Sequence, residues 1–296
     1  MPAILLTAGG FLLILGGSIL FSHSAEALTQ KLFRNHSLGR RILGNMSLSI
    51  PELILPLFSF LGGSGEGRKD AGIGAILGAP LLLIAILWPM TLFFTRKSPI
   101  PSSEKRQLSR EAPILAAGLS LALLAGSFPS HTLHMSIGIF LLMLYPAILF
   151  GIKGEELPDD SSNTEEHPAF IRTALMFLSG VALLLIGPVL LLKGILGFGG
   201  SGGGETIFIL SIILSSLSTE SPEALSLFML LKKRDIPAAY AILWGSIHFQ
   251  LTVSLATGLI LSPWIIQERH IAAGAVLILA LLLSTLWARS TVERTN

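Results

Sequence analysis

The chain has 296 residues, of which 51% are hydrophobic and only 13% charged, with a mean hydropathy of +0.74. A water-soluble domain carries roughly 25% charged residues, so this composition argues against an ordinary soluble enzyme. There is no cysteine, which removes disulfides, thiolate zinc sites, cysteine nucleophiles and S-acyl anchors. A net charge of +2 and a pI of about 9.0 read as basic loops on one face of a membrane rather than as a nucleic-acid surface.

A helical bilayer span needs about 20 apolar residues. The apolar stretches place spans at 3–22, 38–61, 71–95, 112–127, 132–152, 169–193, 205–231, 236–261 and 270–288. No basic residue precedes the first of them and no clear small-residue cleavage site follows it, so it reads as a retained span. The longest polar segments are 96–111 and 153–168. With the N-terminus outside, sixteen of the twenty basic residues fall on the inner side, leaving only Arg68, Lys69, Lys193 and Arg269 outside. That asymmetry fixes the orientation and fits an odd number of spans, with a cytoplasmic C-terminus. The expected class is an all-α polytopic membrane protein with about nine transmembrane helices, placed in a prokaryotic plasma membrane.

The two halves repeat. At an offset of 171 residues, Ser47-Leu48-Ser49-Ile50-Pro51-Glu52 falls on Ser218-Thr219-Glu220-Ser221-Pro222-Glu223. In the next span each copy has a small-residue patch, Gly74-Ala75-Ile76-Leu77-Gly78-Ala79 and Ala241-Ile242-Leu243-Trp244-Gly245-Ser246. Five spans in the first half make the second begin from the opposite face, which gives inverted repeats with a site at their interface. Chance alignment of apolar helices is the bland alternative, and a paired intramembrane Pro-Glu weighs against it. The expected organisation is a first repeat over 1–152 (five helices), an acidic cytoplasmic linker over 153–168 and a second repeat over 169–296 (four helices).

Of eighteen acidic residues, only Glu52, Glu220 and Glu223 lie deep in these spans. A charge at the bilayer centre costs at least about 2.5–3.5 kcal/mol, so the three are expected to line a wet cavity, bind a cation or carry protons. Glu220 and Glu223 are three apart and share one helix face. No basic residue lies at their depth, which leaves a cation or a proton as partner. Protonated carboxyls bonded between helices are the structural alternative. Pro51 has no N–H for the carbonyl of Ser47, nor Pro222 for that of Ser218. Such freed carbonyls are tolerated where they line a cavity. With the hydroxyls of Ser47, Ser49, Ser218, Thr219 and Ser221 they form a set of hard oxygen donors, suited to Ca²⁺, Mg²⁺, Na⁺ or Mn²⁺. Any one of these hydroxyls is equally well explained as a helix-packing group. His248 and Gln250 lie near the middle of the eighth span, where a lone histidine reads as a proton or metal group or as an interhelical hydrogen bond.

The glycine-rich stretches 197–204 and 62–67 lack the ending of a phosphate loop and read as outer connectors. The run Glu155, Glu156, Asp159, Asp160, Glu165 and Glu166 reads as a solvated linker rather than a Ca²⁺ collector.

The two Pro-Glu segments resemble the alpha-repeats of the cation/calcium exchanger superfamily, whose pattern is Gly-Thr-Ser-x-Pro-Glu followed in the next helix by Gly-Ser-Asn. The resemblance extends over nearly the whole chain. It implies ten helices in two inverted halves, exchange of Ca²⁺ or another cation for Na⁺, K⁺ or H⁺, Glu52 and Glu223 as paired Ca²⁺-binding carboxylates, and Ser49 and Thr219 as assisting positions. The sequence departs from the pattern at Leu48, which replaces the threonine, and at Glu220, which replaces a serine. The second motif reads Gly78-Ala79-Pro80 and Gly245-Ser246-Ile247, without either asparagine. Against the family's ten helices, the last is expected to be absent. Fewer neutral donors and one extra carboxylate put a Na⁺ site in doubt and suit a divalent ion plus a proton.

The expected function is therefore a secondary antiporter moving Ca²⁺ or a related cation against Na⁺ or H⁺, with Glu52, Glu223, Glu220, Ser49, Thr219, Ser47 and Ser218 at the cation. No cofactor is expected beyond the transported ion. The partners are inorganic cations and the bilayer, with a homo-oligomer left open. A non-transporting exchanger-fold protein with a binding or regulatory role is the alternative. An intramembrane metal hydrolase needs more ligands than one deep histidine supplies, so no enzyme is expected.

Overall fold

The computed structural model describes residues 2–32, 51–63, 65–95, 100–151, 170–198 and 203–293. The described residues form helices α1 (Pro2–Leu32), α2 (Pro51–Leu61), α3 (Glu66–Phe94), α4 (Ser102–Ala125), α5 (His131–Gly151), α6 (Phe170–Phe198), α7 (203–233), α8 (Ile236–Leu261) and α9 (Glu268–Glu293), with no strand among them. Seven of these helices, all but α2 and α7, are long and apolar enough to cross a membrane. The described part of α2 is short, and α7 carries Glu205, Glu220, Glu223, Lys232 and Lys233. The all-α polytopic class expected from the sequence is the one found.

One boundary differs materially. The segment 96–111 was expected to be polar connector, yet helix α4 starts at Ser102. Ser47, Leu48, Ser49, the acidic linker 153–168 with its carboxylate run, and 199–202 of the second glycine-rich stretch lie outside the described residues.

In a bilayer, helices associate through close packing rather than through escape from water, and small residues permit it. Helices α1 and α6 lie along each other in this way. Gly10 and Gly17 on α1 face Gly180, Gly187 and Gly194 on α6, one close approach every two turns. A Cβ on Gly180 would lie 2.7 Å from the backbone nitrogen of Phe21, and one on Gly187 2.9 Å from that of Ile14. Away from this seam the same helices turn Leu5, Leu12, Ile171 and Leu178 outward, as a lipid-facing surface requires.

Helices α3 and α8 form the interior: 78% of each apolar window is buried, against 33% in α1, α5, α6 and α9. Gly74 and Gly78 bring α3 onto α7, where a Cβ would lie 2.8 Å from the carbonyl oxygen of Phe208 and 2.6 Å from that of Ile212. The first of the two repeated small-residue patches thus sets a backbone-to-backbone crossing. Three short π-helical segments interrupt the inner helices, at Leu83–Leu87 in α3, Ser211–Ser215 in α7 and Gln250–Ser254 in α8. Such widened turns redirect side chains and occur often at functional sites. Helix α4 packs on α9, and α5 on the last turns of α8.

Candidate cation site

Glu52 stands in the first turn of α2, and Glu220 and Glu223 stand one helical turn apart on α7, directly after its π-helical segment. All three are buried, Glu220 completely. One carboxylate oxygen from each lies within 4.8 Å of the others. The sequence repeat is therefore realised as a single cluster, with the two Pro-Glu glutamates and the extra Glu220 meeting at one point.

Helix α8 supplies the neutral groups around it. Gln250 donates from Nε2 to Glu52 Oε2 at 2.6 Å and to Glu220 Oε1 at 2.8 Å. The Ser246 hydroxyl reaches both oxygens of Glu223, at 2.7 and 2.6 Å. Ser246 and Gln250 are four apart and so share the face of α8 turned to the carboxylates. Gln250 begins the π-helical segment. The Tyr145 ring on α5 stacks edge-on against Phe249.

The donors satisfy only part of the cluster. Glu52 Oε1, Glu220 Oε2 and Gln250 Oε1 are buried and have no hydrogen-bond partner among the described residues. No lysine, arginine or histidine nitrogen among the described residues lies within 4.0 Å of any of the three carboxylates. Amide and hydroxyl groups orient a carboxylate without cancelling its charge, and in a medium of low polarity that charge interacts strongly. The arrangement suits a hard cation held by oxygen ligands, or protons. Three carboxyl groups are neutralised by one divalent ion and one proton together.

The predicted hydroxyls divide. Ser218 and Thr219 are buried, and both donate to the carbonyl of Ser215, at 2.7 and 3.1 Å. Each of these two hydroxyls keeps lone pairs beyond the hydrogen it donates. Ser221 bonds the Leu217 carbonyl on the outer side of α7. A serine the sequence did not single out, Ser216, is buried one turn before Glu220, with its hydroxyl against Gly78 and no partner among the described residues.

His248 is not the lone histidine that the sequence implied. It lies on the opposite face of α8 from Ser246 and Gln250, with Nε2 2.9 Å from Glu111 Oε2 on α4. The sequence puts Glu111 one residue outside the fourth span, gives Gln250 no role, and marks Ser246 only as the serine of the Gly245-Ser246-Ile247 motif. The spacing Ser246–Gln250 on one helix face was the available signal for the latter two.

A helical membrane protein whose interior gathers three buried carboxylates on two Pro-Glu-marked helices, with no basic partner among the described residues, has the features of an ion transporter. The sequence profile described as "Sodium/calcium exchanger protein" matches residues 2–153. The chain belongs to the sodium/calcium exchanger family, whose members are transporters and not enzymes. No curated protein sequence matches it. Among solved structures it is similar to the H⁺/Ca²⁺ exchanger CAX, with a TM-score of 0.66, 17% identity, and coverage of 99% of this chain and 76% of that one. It is similar to YfkE at a TM-score of 0.66 and 14% identity, covering 99% of this chain and 89% of that one. It is also similar to the sodium-calcium exchanger NCX_Mj, at a TM-score of 0.56 and 18% identity, covering 97% and 92%. At these identities the likeness is one of fold.

Proposed function

We propose that the protein is a secondary active antiporter that exchanges Ca²⁺ or a related divalent cation for H⁺ or Na⁺. The observation that carries this reading is the cluster of Glu52, Glu220 and Glu223, buried within 4.8 Å of one another with no basic partner among the described residues. Glu52 and Glu223 bind the divalent ion. Glu220 assists and takes the exchanged proton. Thr219 and Ser218 on α7, with Ser47 and Ser49 before α2, complete the oxygen ligands. CAX is an H⁺/Ca²⁺ exchanger and NCX_Mj a sodium-calcium exchanger; the extra carboxylate here and the absence of both asparagines favour the proton as counter-ion.

The cycle follows from charge. An empty site with several negative charges is costly in the hydrocarbon layer, so the helices rearrange only when a divalent ion or protons occupy it. Exchange is thereby obligatory. The glycine-lined contact of α1 with α6 provides a smooth surface along which the halves shift to open the site to each side in turn. The asymmetry of the basic residues favours an N-terminus outside and a C-terminus in the cytoplasm.

The test is flux. Purified protein in proteoliposomes should take up Ca²⁺ against an imposed proton or Na⁺ gradient, and Glu52→Gln and Glu223→Gln should each abolish it. Unchanged uptake in both variants overturns the assignment. Cation binding without flux in the wild type points instead to a non-transporting exchanger fold.

A further inference from the structure

Away from the carboxylates, the ends of α3, α4 and α9 enclose a cavity of about 540 Å³ lined by Leu92, Phe93, Thr95, Ile100, Lys105 and Trp287. We propose that this cavity binds an anionic phospholipid, with the headgroup phosphate at Lys105 and the upper acyl chain along Leu92, Phe93 and Ile100.

Lys105 is the core of the argument. It is only 9% exposed, an unusual state for a lysine, which is almost never buried unless paired. Among the described residues no carboxylate lies within 4.0 Å of its nitrogen. Its recorded partner is the Trp287 ring, with the ammonium 5.7 Å from the ring centroid. An aromatic face offsets a cation by about 0.5–2 kcal/mol and leaves the positive charge uncancelled. Trp287 is itself held in place, edge-on to Trp88 at 5.4 Å and 87°. The cavity therefore presents a fixed cation on a rigid wall, with no acidic residue among the described residues lining it.

The rest of the wall selects the occupant. Leu92, Phe93 and Ile100 are apolar, and Phe93 is 62% exposed on a membrane-spanning helix, so the cavity opens towards lipid. A free inorganic anion would leave that surface unfilled, whereas a phospholipid covers it and delivers its phosphate at the same time. The level is right as well. Lysine and tryptophan at the ends of spans mark the interface, and Arg106, Arg110 and Arg289 are exposed on the same two helices. In the orientation proposed above this is the cytoplasmic leaflet, where basic pockets between helices hold anionic headgroups.

The experiment uses the full chain, purified and supplied with equal amounts of phosphatidylglycerol and phosphatidylcholine, with retained lipid read by native mass spectrometry. The wild type should retain phosphatidylglycerol preferentially. Lys105→Met, whose side chain keeps the unbranched apolar stem, should lower that preference about fivefold while melting as the wild type does in phosphatidylcholine alone. Equal retention by the wild type and Lys105→Met overturns the proposal. Should Lys105→Met fail to fold, Trp287→Leu takes its place: it keeps the charge, loses the aromatic wall and should retain less phosphatidylglycerol, and undiminished retention overturns the proposal equally. A further arm adds millimolar inorganic phosphate. Undisturbed lipid supports a lipid site, and full displacement shows an anion site instead.

Discussion

Two buried carboxylate sites, one built on Asp70 alone and one on three glutamates, are treated in opposite ways in this helix bundle. Near the starts of α3 and α9, buried Asp70 receives Arg269 Nη2 at 2.8 Å on each of its oxygens. His270 lies with Nε2 3.0 Å from Oδ1. Because His270 Nδ1 accepts the backbone N–H of Gln267 at 3.1 Å, Nε2 carries the proton and donates it to Asp70. Gly204, at the start of α7, packs directly on this pair. A permanent cation thus cancels the Asp70 charge, and the cluster ties three helices together. Around Glu52, Glu220 and Glu223 the protein instead supplies an amide and a hydroxyl. Those groups orient the carboxylates and leave the charge to be cancelled by something mobile. At the fixed joint the chain provides the counter-charge itself, and at the proposed cation site no described residue does so.

The sharpest way to break this contrast is to remove one carboxylate from each cluster. Glu223→Gln should lower saturating Ca²⁺ uptake by about 100-fold or more, the loss of a charged ligand costing roughly 3 kcal/mol. Its cation-free melting temperature should not fall, because a like-charge contact is relieved. Asp70→Asn should do the reverse. It strands Arg269 and weakens three interhelical bonds, costing about 2–3 kcal/mol, read as a lower melting temperature, while the half-saturating Ca²⁺ concentration stays at the wild-type value. If both variants lose stability and keep transport, the clusters are of one structural kind and the contrast fails.

A smaller effect belongs to the amide. Gln250→Ala removes the bridge that holds Glu52 and Glu220 at 2.6 and 2.8 Å from a shared donor. The half-saturating Ca²⁺ concentration should rise about tenfold, corresponding to a lost hydrogen bond to charged groups of about 1.5 kcal/mol. Uptake at saturating Ca²⁺ should change less. Equal affinity in the variant would mean that Gln250 merely fills space.

What the sequence hid follows from how spans are read. The Pro-Glu repeat made Glu52, Glu220 and Glu223 legible, since two mirrored motifs and an absence of deep basic residues are properties of one strand of text. Asp70, Glu111 and Arg269 escaped for a common reason. Each had been placed one residue ahead of a span, at 71, 112 and 270, because a charge marks where an apolar stretch begins. The helices continue through these positions because each charge meets a partner from a distant helix: Arg269 for Asp70, His248 for Glu111. Pairing of residues 137 to 199 positions apart leaves no periodic trace. The same holds for Gln250, whose two acceptors sit 198 and 30 residues away. A helical wheel of α8 separates His248 from Ser246 and Gln250, but only the packed neighbours say which face meets the carboxylates.

The smallest effect tests whether the α7 hydroxyls serve the ion or the helix. Thr219 bonds the Ser215 carbonyl at 3.1 Å, which Ser218 also reaches at 2.7 Å. Back-bonding of this kind is common in helices and by itself implies no ligand. Yet Thr219 is one turn before Glu223, on the face that carries the cluster. Thr219→Val preserves the shape and leaves Ser218 to satisfy the carbonyl, so stability should change little. If the Thr219 oxygen completes the coordination shell, the half-saturating Ca²⁺ concentration should rise about threefold, the weight of one neutral ligand of roughly 0.6 kcal/mol. The shift should be absent from the corresponding Ser221→Ala variant, whose hydroxyl points away from the site. Identical affinities for wild type and Thr219→Val would remove the Thr219 hydroxyl from the ion's ligands and leave it the back-bonding role in the helix that its bond to the Ser215 carbonyl already gives it.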